Sequence, residues 1–313
     1  MKAMIKICIC AVVAAALIAT LCVLLIPSTR WRLPELLHFA DIGSGRYEQE
    51  DAYHVGAETV TEPVDELELH WSSGKIIITT HTGSDIRMTE TGYRSERQQL
   101  RWRVKDGKLI IREQASGLNW SLPGKTLELS LPEGDYDELS IDTASAAVSI
   151  SGALRLGKLD VDSASGSLSA AQLTVDELSF DSASGGCTLT DCTVAEFEME
   201  TASGSALLTG SFDRVSMDAA SGDLELHSAV TPREISVDAV SSRVRHYLPA
   251  DAEFSAALDS VSGDLSVEDF SGTYSDGDFI CGSGARQYQF TTVSGDVEMR
   301  KERCRRKQYE TTL

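Results

Sequence analysis

Val161-Asp-Ser-Ala-Ser-Gly-Ser-Leu168, Phe180-Asp-Ser-Ala-Ser-Gly-Gly-Cys187, Met199-Glu-Thr-Ala-Ser-Gly-Ser-Ala206 and Met217-Asp-Ala-Ala-Ser-Gly-Asp-Leu224 are successive copies of one phrase. The serine before the glycine falls at Ser165, Ser184, Ser203 and Ser221, with a degenerate copy at Ser145 and later ones at Ser241, Ser262 and Ser294. From Ser145 to Ser262 the steps are 20, 19, 19, 18, 20 and 21 residues. A fixed period of this size is the signature of a solenoid, each repeat one turn stacked on the last.

Each copy reads apolar-x-apolar-Asp-x-Ala-Ser-Gly-x-apolar-x-apolar. Leu159/Val161, Leu178/Phe180, Phe197/Met199, Val215/Met217 and Ile235/Val237 form the first apolar pair. Val148/Ile150, Cys187/Leu189, Ala206/Leu208 and Leu224/Leu226 form the second. Period-two alternation marks strands with one buried face, and the parity flip between the pairs requires a corner at Ser-Gly, where glycine can supply a positive φ. Tyr136, Leu156, Val175, Val194 and Phe212 recur three residues before each first strand and are expected to anchor a separate return segment. One repeat buries too little to offset the ordering of its own chain, so the turns must stack. The fold class expected is all-β: a solenoid or β-roll of ~19–20-residue turns, preceded by one N-terminal transmembrane helix. The competing architecture is an antiparallel meander.

The 313-residue chain has a formal net charge of −20, and residues 131–299 hold 30 Asp and Glu against 7 Lys and Arg. So acidic a surface repels polyanions, which argues against nucleic-acid binding. The sign reverses at residues 300–313, where Arg300, Lys301, Arg303, Arg305, Arg306 and Lys307 cluster. This basic tail reads either as a solvated end or as a segment for anionic lipid or wall polymer. The seven cysteines show no disulfide framework, and Cys187 occupies an inward strand slot.

Ile7 to Ile26 carries no charge and is flanked by Lys2, Lys6, Arg30 and Arg32. As a helix it spans ~30 Å, enough to cross a hydrocarbon core. It ends in Leu-Leu-Ile-Pro without a small-residue cleavage site, so an uncleaved anchor is expected, with the C-terminal domain outside the cytoplasm. The organisation that follows is 1–6 cytoplasmic tail, 7–26 anchor, 27–60 juxtamembrane stalk, 61–131 β-rich first part, 132–299 repeat solenoid and 300–313 tail.

Before the repeats, Leu67-Glu-Leu-His-Trp71, Ser72-Ser-Gly-Lys75 and Ile76-Ile-Ile-Thr79 look like a divergent first copy. Arg101–Val104 and Leu109–Ile111 flank Asp106-Gly107, a hairpin signal. Leu127-Glu-Leu-Ser-Leu-Pro132 is a further strand. The opening Leu-x-Leu…Ser-Gly-Lys-Ile-x-Ile, the Asp-Gly-Lys-Leu-x-Ile hairpin, the Leu-x-Leu-Ser-Leu-Pro strand and the serial Asp-x-Ala-Ser-Gly corners resemble the bacterial "putative adhesin" family, whose members include toast-rack-like β-solenoids of the envelope. The resemblance covers roughly residues 64–299. It implies a membrane-tethered surface domain and brings no catalytic residues with it.

Little else points to chemistry. The six histidines have no metal-ligand spacing, no phosphate loop or dinucleotide fingerprint occurs, and no serine sits in a nucleophile elbow. No catalytic residue and no cofactor is expected. One constellation recurs: Asp142, Asp162, Asp181, Glu200, Asp218 and Asp238 take the same slot in successive turns. Stacked ~5 Å apart, they either accept hydrogen bonds from corner N–H groups or share Ca²⁺, which prefers oxygen ligands. The function expected is a membrane-anchored, non-catalytic binding module, adhesin-like or part of an envelope-stress system, with a surface polymer or envelope protein as partner. The alternative is a polysaccharide-active β-helix enzyme, for which Arg243 and Arg245 are the only close basic pair within the acidic repeats.

Overall fold

The computed structural model describes residues 50–115, 124–275 and 278–302. The expected anchor (7–26), most of the stalk and residues 303–313 of the basic tail lie outside them. No helix among the described residues is long and apolar enough to cross a membrane.

The first apolar pair builds one parallel ladder. Leu139, Leu159, Leu178, Phe197, Val215 and Ile235 are successive partners in register, and all are buried. The second pair builds another, running Val148, Leu168, Cys187, Ala206, Leu224 and Val244. Parallel stacking of successive copies excludes the meander. The third anchor differs from expectation: Leu156 and Leu159 share the single strand Leu154–Ser163, and the pairing skips Gly157 between them. That local irregularity turns both leucines inward across a three-residue spacing, so no separate return segment is needed.

The corner glycines also differ from expectation. Those at 166, 185, 204 and 222 are not among the glycines with positive φ. A Cβ on Gly185 would instead overlap the backbone carbonyl of Gly166 one turn away, and the same clash recurs down the stack. Glycine is needed for close approach of corner to corner. Buried hydroxyls close these corners: Ala146 N–H donates to Thr143 Oγ1 (2.8 Å), Gly166 N–H to Ser163 Oγ (2.5 Å) and Gly185 N–H to Ser182 Oγ (2.7 Å). At the fifth and sixth corners Ala219 and Ala239 replace the capping hydroxyl, and from there on the strands run through the corner so that Ser221, Ser241, Ser294 and Ser262 pair in that order.

That order shows that chain order and spatial order part at both ends. The turn built from Gln287–Ser294 and Val297–Lys301 inserts between the 234–248 and 254–267 turns. At the other end, Lys108–Arg112 and Lys125–Pro132 form the outermost turn, outside Glu66–His70 and Gly74–His81. Antiparallel strands then cover the ends: Arg101–Lys105 and Ile86–Thr91 on one side, with the hairpin Gly272–Ser275/Asp278–Cys281 lying against Phe254–Ala256 on the other. Covered ends limit the exposed edges that invite aggregation. The hairpin at Asp106-Gly107 has φ of 53° and 82°, as the sequence suggests. Residues 54–60, placed by sequence in the stalk, pair with these capping strands and bury Val60, so the folded domain begins earlier than residue 61. Under this cap Lys125 is buried, its Nζ 2.6 Å from Glu90 Oε1 and 4.8 Å from the centre of the Trp71 ring.

Candidate functional site

The alternation that sends Val161 and Ser163 inward sends Asp162 outward, and parallel register repeats it. Asp142, Asp162, Asp181, Glu200, Asp218 and Asp238 are successive partners, so the slot seen in sequence becomes one unbroken carboxylate column. Each is half-buried among its neighbours. Asp160 and Glu198 stand two residues back on the same outer face.

Crowding shifts proton affinity. Burial, then the charges of Glu200 and Asp162, push the Asp181 carboxyl up to about 7. Burial, then Asp238 and Glu200, push Asp218 up to about 6. Asp181 Oδ1 is buried without a hydrogen-bond partner. The column is closed at one end by His70, whose Nδ1 lies 2.8 Å from Asp142 Oδ2 and whose Nε2 lies 2.6 Å from Glu68 Oε1. Burial opposes protonation of His70, but the bonds to Asp142 and Glu68 outweigh it and raise its pKa. Beyond the other end Asp238 pairs with Thr291.

The expectation that these carboxylates cap the corners is not met at the corners of Ala146, Gly166 and Gly185, because the hydroxyls of Thr143, Ser163 and Ser182 already take those N–H groups. Among the described residues no three His, Cys, Asp or Glu side chains are grouped to hold a metal ion. Chemically the column is an anionic stripe that runs through six successive turns.

A second polar site lies at the late corners. Reordering of the last turns stacks Asp223, Arg243, Asp296 and Asp264 at equivalent positions, around a cavity of about 440 Å³. Asp223 Oδ1 accepts the Arg243 N–H at 2.9 Å and Asp296 Oδ1 accepts the Asp264 N–H at 3.2 Å. Here corner carboxylates do cap backbone, one residue past the glycine position. Arg245 pairs with Glu225 at 3.0 Å, so the basic pair noted in the sequence is split between this cleft and an ion pair on the adjoining strand face. Sequence reasoning missed the cleft, although a signal existed: three corners read Ser-Gly-Asp (221–223, 262–264, 294–296), and the step from Ser262 to Ser294 is far longer than a turn.

The family model described as Toastrack DUF4097 matches residues 64–300. No curated protein matches the chain. A crystal structure of a "putative adhesin" from Bacteroides fragilis is similar at 12% identity and a TM-score of 0.45, over 79% of this chain and 97% of that one. One of a "putative adhesin" from Parabacteroides distasonis aligns at 13% identity and 0.46, over 79% and 97%. A "putative cell adhesion protein" from Clostridium sporogenes aligns at 13% and 0.27, over 80% and 100%.

Proposed function

The chain belongs to the Toastrack DUF4097 family, and from that premise we propose that it is a non-catalytic binding module, held on the outer side of the cytoplasmic membrane by the apolar segment Ile7–Ile26. Its partner is a surface polymer or an envelope protein. The observation that carries this reading is the distribution of polar groups. They form columns spanning several turns, as the six-carboxylate column does. Extended, rigid, repeating faces suit an extended ligand, as in other repeat proteins.

The alternative, a polysaccharide-active enzyme, draws on one observation: Arg243 shares a cleft with Asp223, Asp264 and Asp296. Carboxylates near a guanidinium can serve acid–base or binding roles. No lysine, histidine or tyrosine joins them in that lining, which favours binding.

The test is cross-linking of the full-length protein in its native envelope, followed by purification and identification of what is attached. A reproducible envelope partner, lost when the outer columns are neutralised, supports the reading. Reducing-end release from a surface polysaccharide by the same protein would replace it with the enzyme. Intact-mass analysis of the membrane-extracted protein addresses the anchor, and a chain beginning near residue 27 would remove it.

A further inference from the structure

We propose that the late-corner cleft is a carbohydrate subsite that takes an amine-bearing sugar unit of a surface polymer, an inference that rests on the binding-module reading above. One substitution in the repeat lies at this cleft. At every neighbouring corner the position after serine is glycine, which permits close stacking, but the 234–248 turn carries Ser242 there. Gly222 N–H reaches Ser241 O at 3.4 Å, against 3.2 Å for the equivalent Gly295 N–H to Ser262 O. The cavity of about 440 Å³ opens at this place, within the usual size range of small-molecule sites.

Its chemistry selects the ligand. The lining is serine hydroxyl, glycine backbone, three aspartates and one arginine. Nothing apolar awaits a hydrophobic ligand, and phosphate or uronate would meet excess negative charge. Asp296 commits one oxygen to the Asp264 N–H (3.2 Å), which fixes the carboxylate and leaves its second oxygen to accept from a ligand hydroxyl or amine, whereas Asp223 is engaged by Arg243 at both oxygens, through the backbone N–H (2.9 Å) and the guanidinium (3.9 Å). Ser242 supplies an independent sign of a missing partner. It is 9% exposed, lines the cleft, and its hydroxyl bonds to no described residue. A polyol satisfies such groups, since a largely buried donor left unpaired costs free energy. Three carboxylates against one guanidinium make a sugar carrying an ammonium group a better fit than a neutral one. Without an aromatic platform in the lining the single-unit affinity is weak, with a dissociation constant on the order of 1 mM.

The experiment titrates full-length protein in detergent with glucosamine oligomers, neutral glucose oligomers, polygalacturonate and calcium chloride, following binding by calorimetry and by ligand-observed NMR. The expected order is glucosamine above glucose by about fivefold, the worth of one exposed ion pair, with no binding of polygalacturonate. Asp264→Asn with Asp296→Asn should weaken glucosamine binding about tenfold or more. Ser242→Ala should weaken it while keeping the cleft. Circular dichroism and thermal unfolding confirm that each variant is folded. Equal binding of all three oligomers, no binding of any, or binding unchanged in the aspartate variant overturns the subsite. Displacement of the sugar by calcium at one-to-one stoichiometry overturns it in favour of a cation site. If sugars fail to bind while the native envelope partner is still captured, the subsite falls and the binding-module reading stands.

Discussion

His70 stands in strand register with Asp142, its Nδ1 2.8 Å from Asp142 Oδ2, and so places a titratable cation at the end of a column of carboxylates. Because the folded pKa of His70 is raised above 6.5, its stabilisation is fully present below the unfolded value and is lost as pH rises through the folded one. His70→Gln should therefore cost more stability at pH 6 than at pH 9, measured as the difference in urea midpoints. A difference independent of pH would show that the ring acts by packing alone.

Asp181 and Asp218 also favour the folded state less as pH rises, but through burial and mutual repulsion of their ionised forms and not through the loss of a cation. Their folded pKa values of about 7 and about 6 exceed the ordinary 3.8, so the folded state holds the extra protons, and stability falls as pH rises from about 4 to about 7. Asp181→Asn with Asp218→Asn should raise the melting temperature at pH 8 and change it little at pH 4. A loss of stability at pH 8 would mean that the carboxylates are held by attractive partners.

The same column bears on calcium. With no three ligands grouped among the described residues, calcium at millimolar concentration should raise the melting temperature no more than sodium chloride of matched ionic strength. A cation that bound only the folded state at a hundredfold excess would add about 2.7 kcal/mol. A calcium-specific rise abolished in the double Asn variant would reverse this expectation.

Corner stacking makes glycine and serine unequal. Gly185→Ala drives a Cβ into the carbonyl of Gly166 and should cost about 2–4 kcal/mol. Ser182→Ala leaves the buried Gly185 N–H without its 2.7 Å acceptor and should cost about 1–3 kcal/mol. Ser184→Ala, at an exposed position, should stay within about 0.5 kcal/mol. Chemical denaturation of the three variants gives the ranking, and equal effects would contradict it.

His246 is fully buried against Phe290, both ring nitrogens without partners, and burial pushes its pKa down to about 3. A depressed folded pKa on a base means that stability is lost as pH falls from about 6.5 toward about 3. His246→Leu should stabilise the fold by about 1–3 kcal/mol at neutral pH and reduce its sensitivity to acid. Destabilisation would reveal a partner for the ring.

The side chains of Lys125 and Glu90 are each 1% exposed and lie 2.6 Å apart. Lys125→Met leaves the carboxylate buried without its partner and should cost about 3–5 kcal/mol, part of it recovered by adding Glu90→Leu. A double variant no better than the single one would place the cost in the other Lys125 bonds, to the backbone carbonyls of Gln98 and Glu113.

Much of this was legible in sequence because the solenoid is built from local rules. Leu159, Leu178, Phe197 and Val215 could be assigned to one column from spacing alone, since each turn repeats the alternation of the last. The outward carboxylate slot followed from the same parity. The corner was legible as a position but not as a mechanism. Gly185 serves close approach and not a positive φ, and Ser182, not Asp181, caps the backbone, because capping depends on which side chain points inward at the turn.

Sequence by itself determined the all-β class, the turn length, the inward columns and the six-carboxylate stripe. All of these arise from periodicities of two and about twenty residues that the chain carries along its length. Only the tertiary structure decided that Gln287–Lys301 slots between two earlier turns, that Lys125–Pro132 lies outside Gly74–His81, and that Arg243 therefore meets Asp296 and Asp264. An open parallel edge accepts any strand of matching pattern. Which strand fills it is settled by burial and end-capping of the whole domain, and no local stretch of sequence encodes that choice.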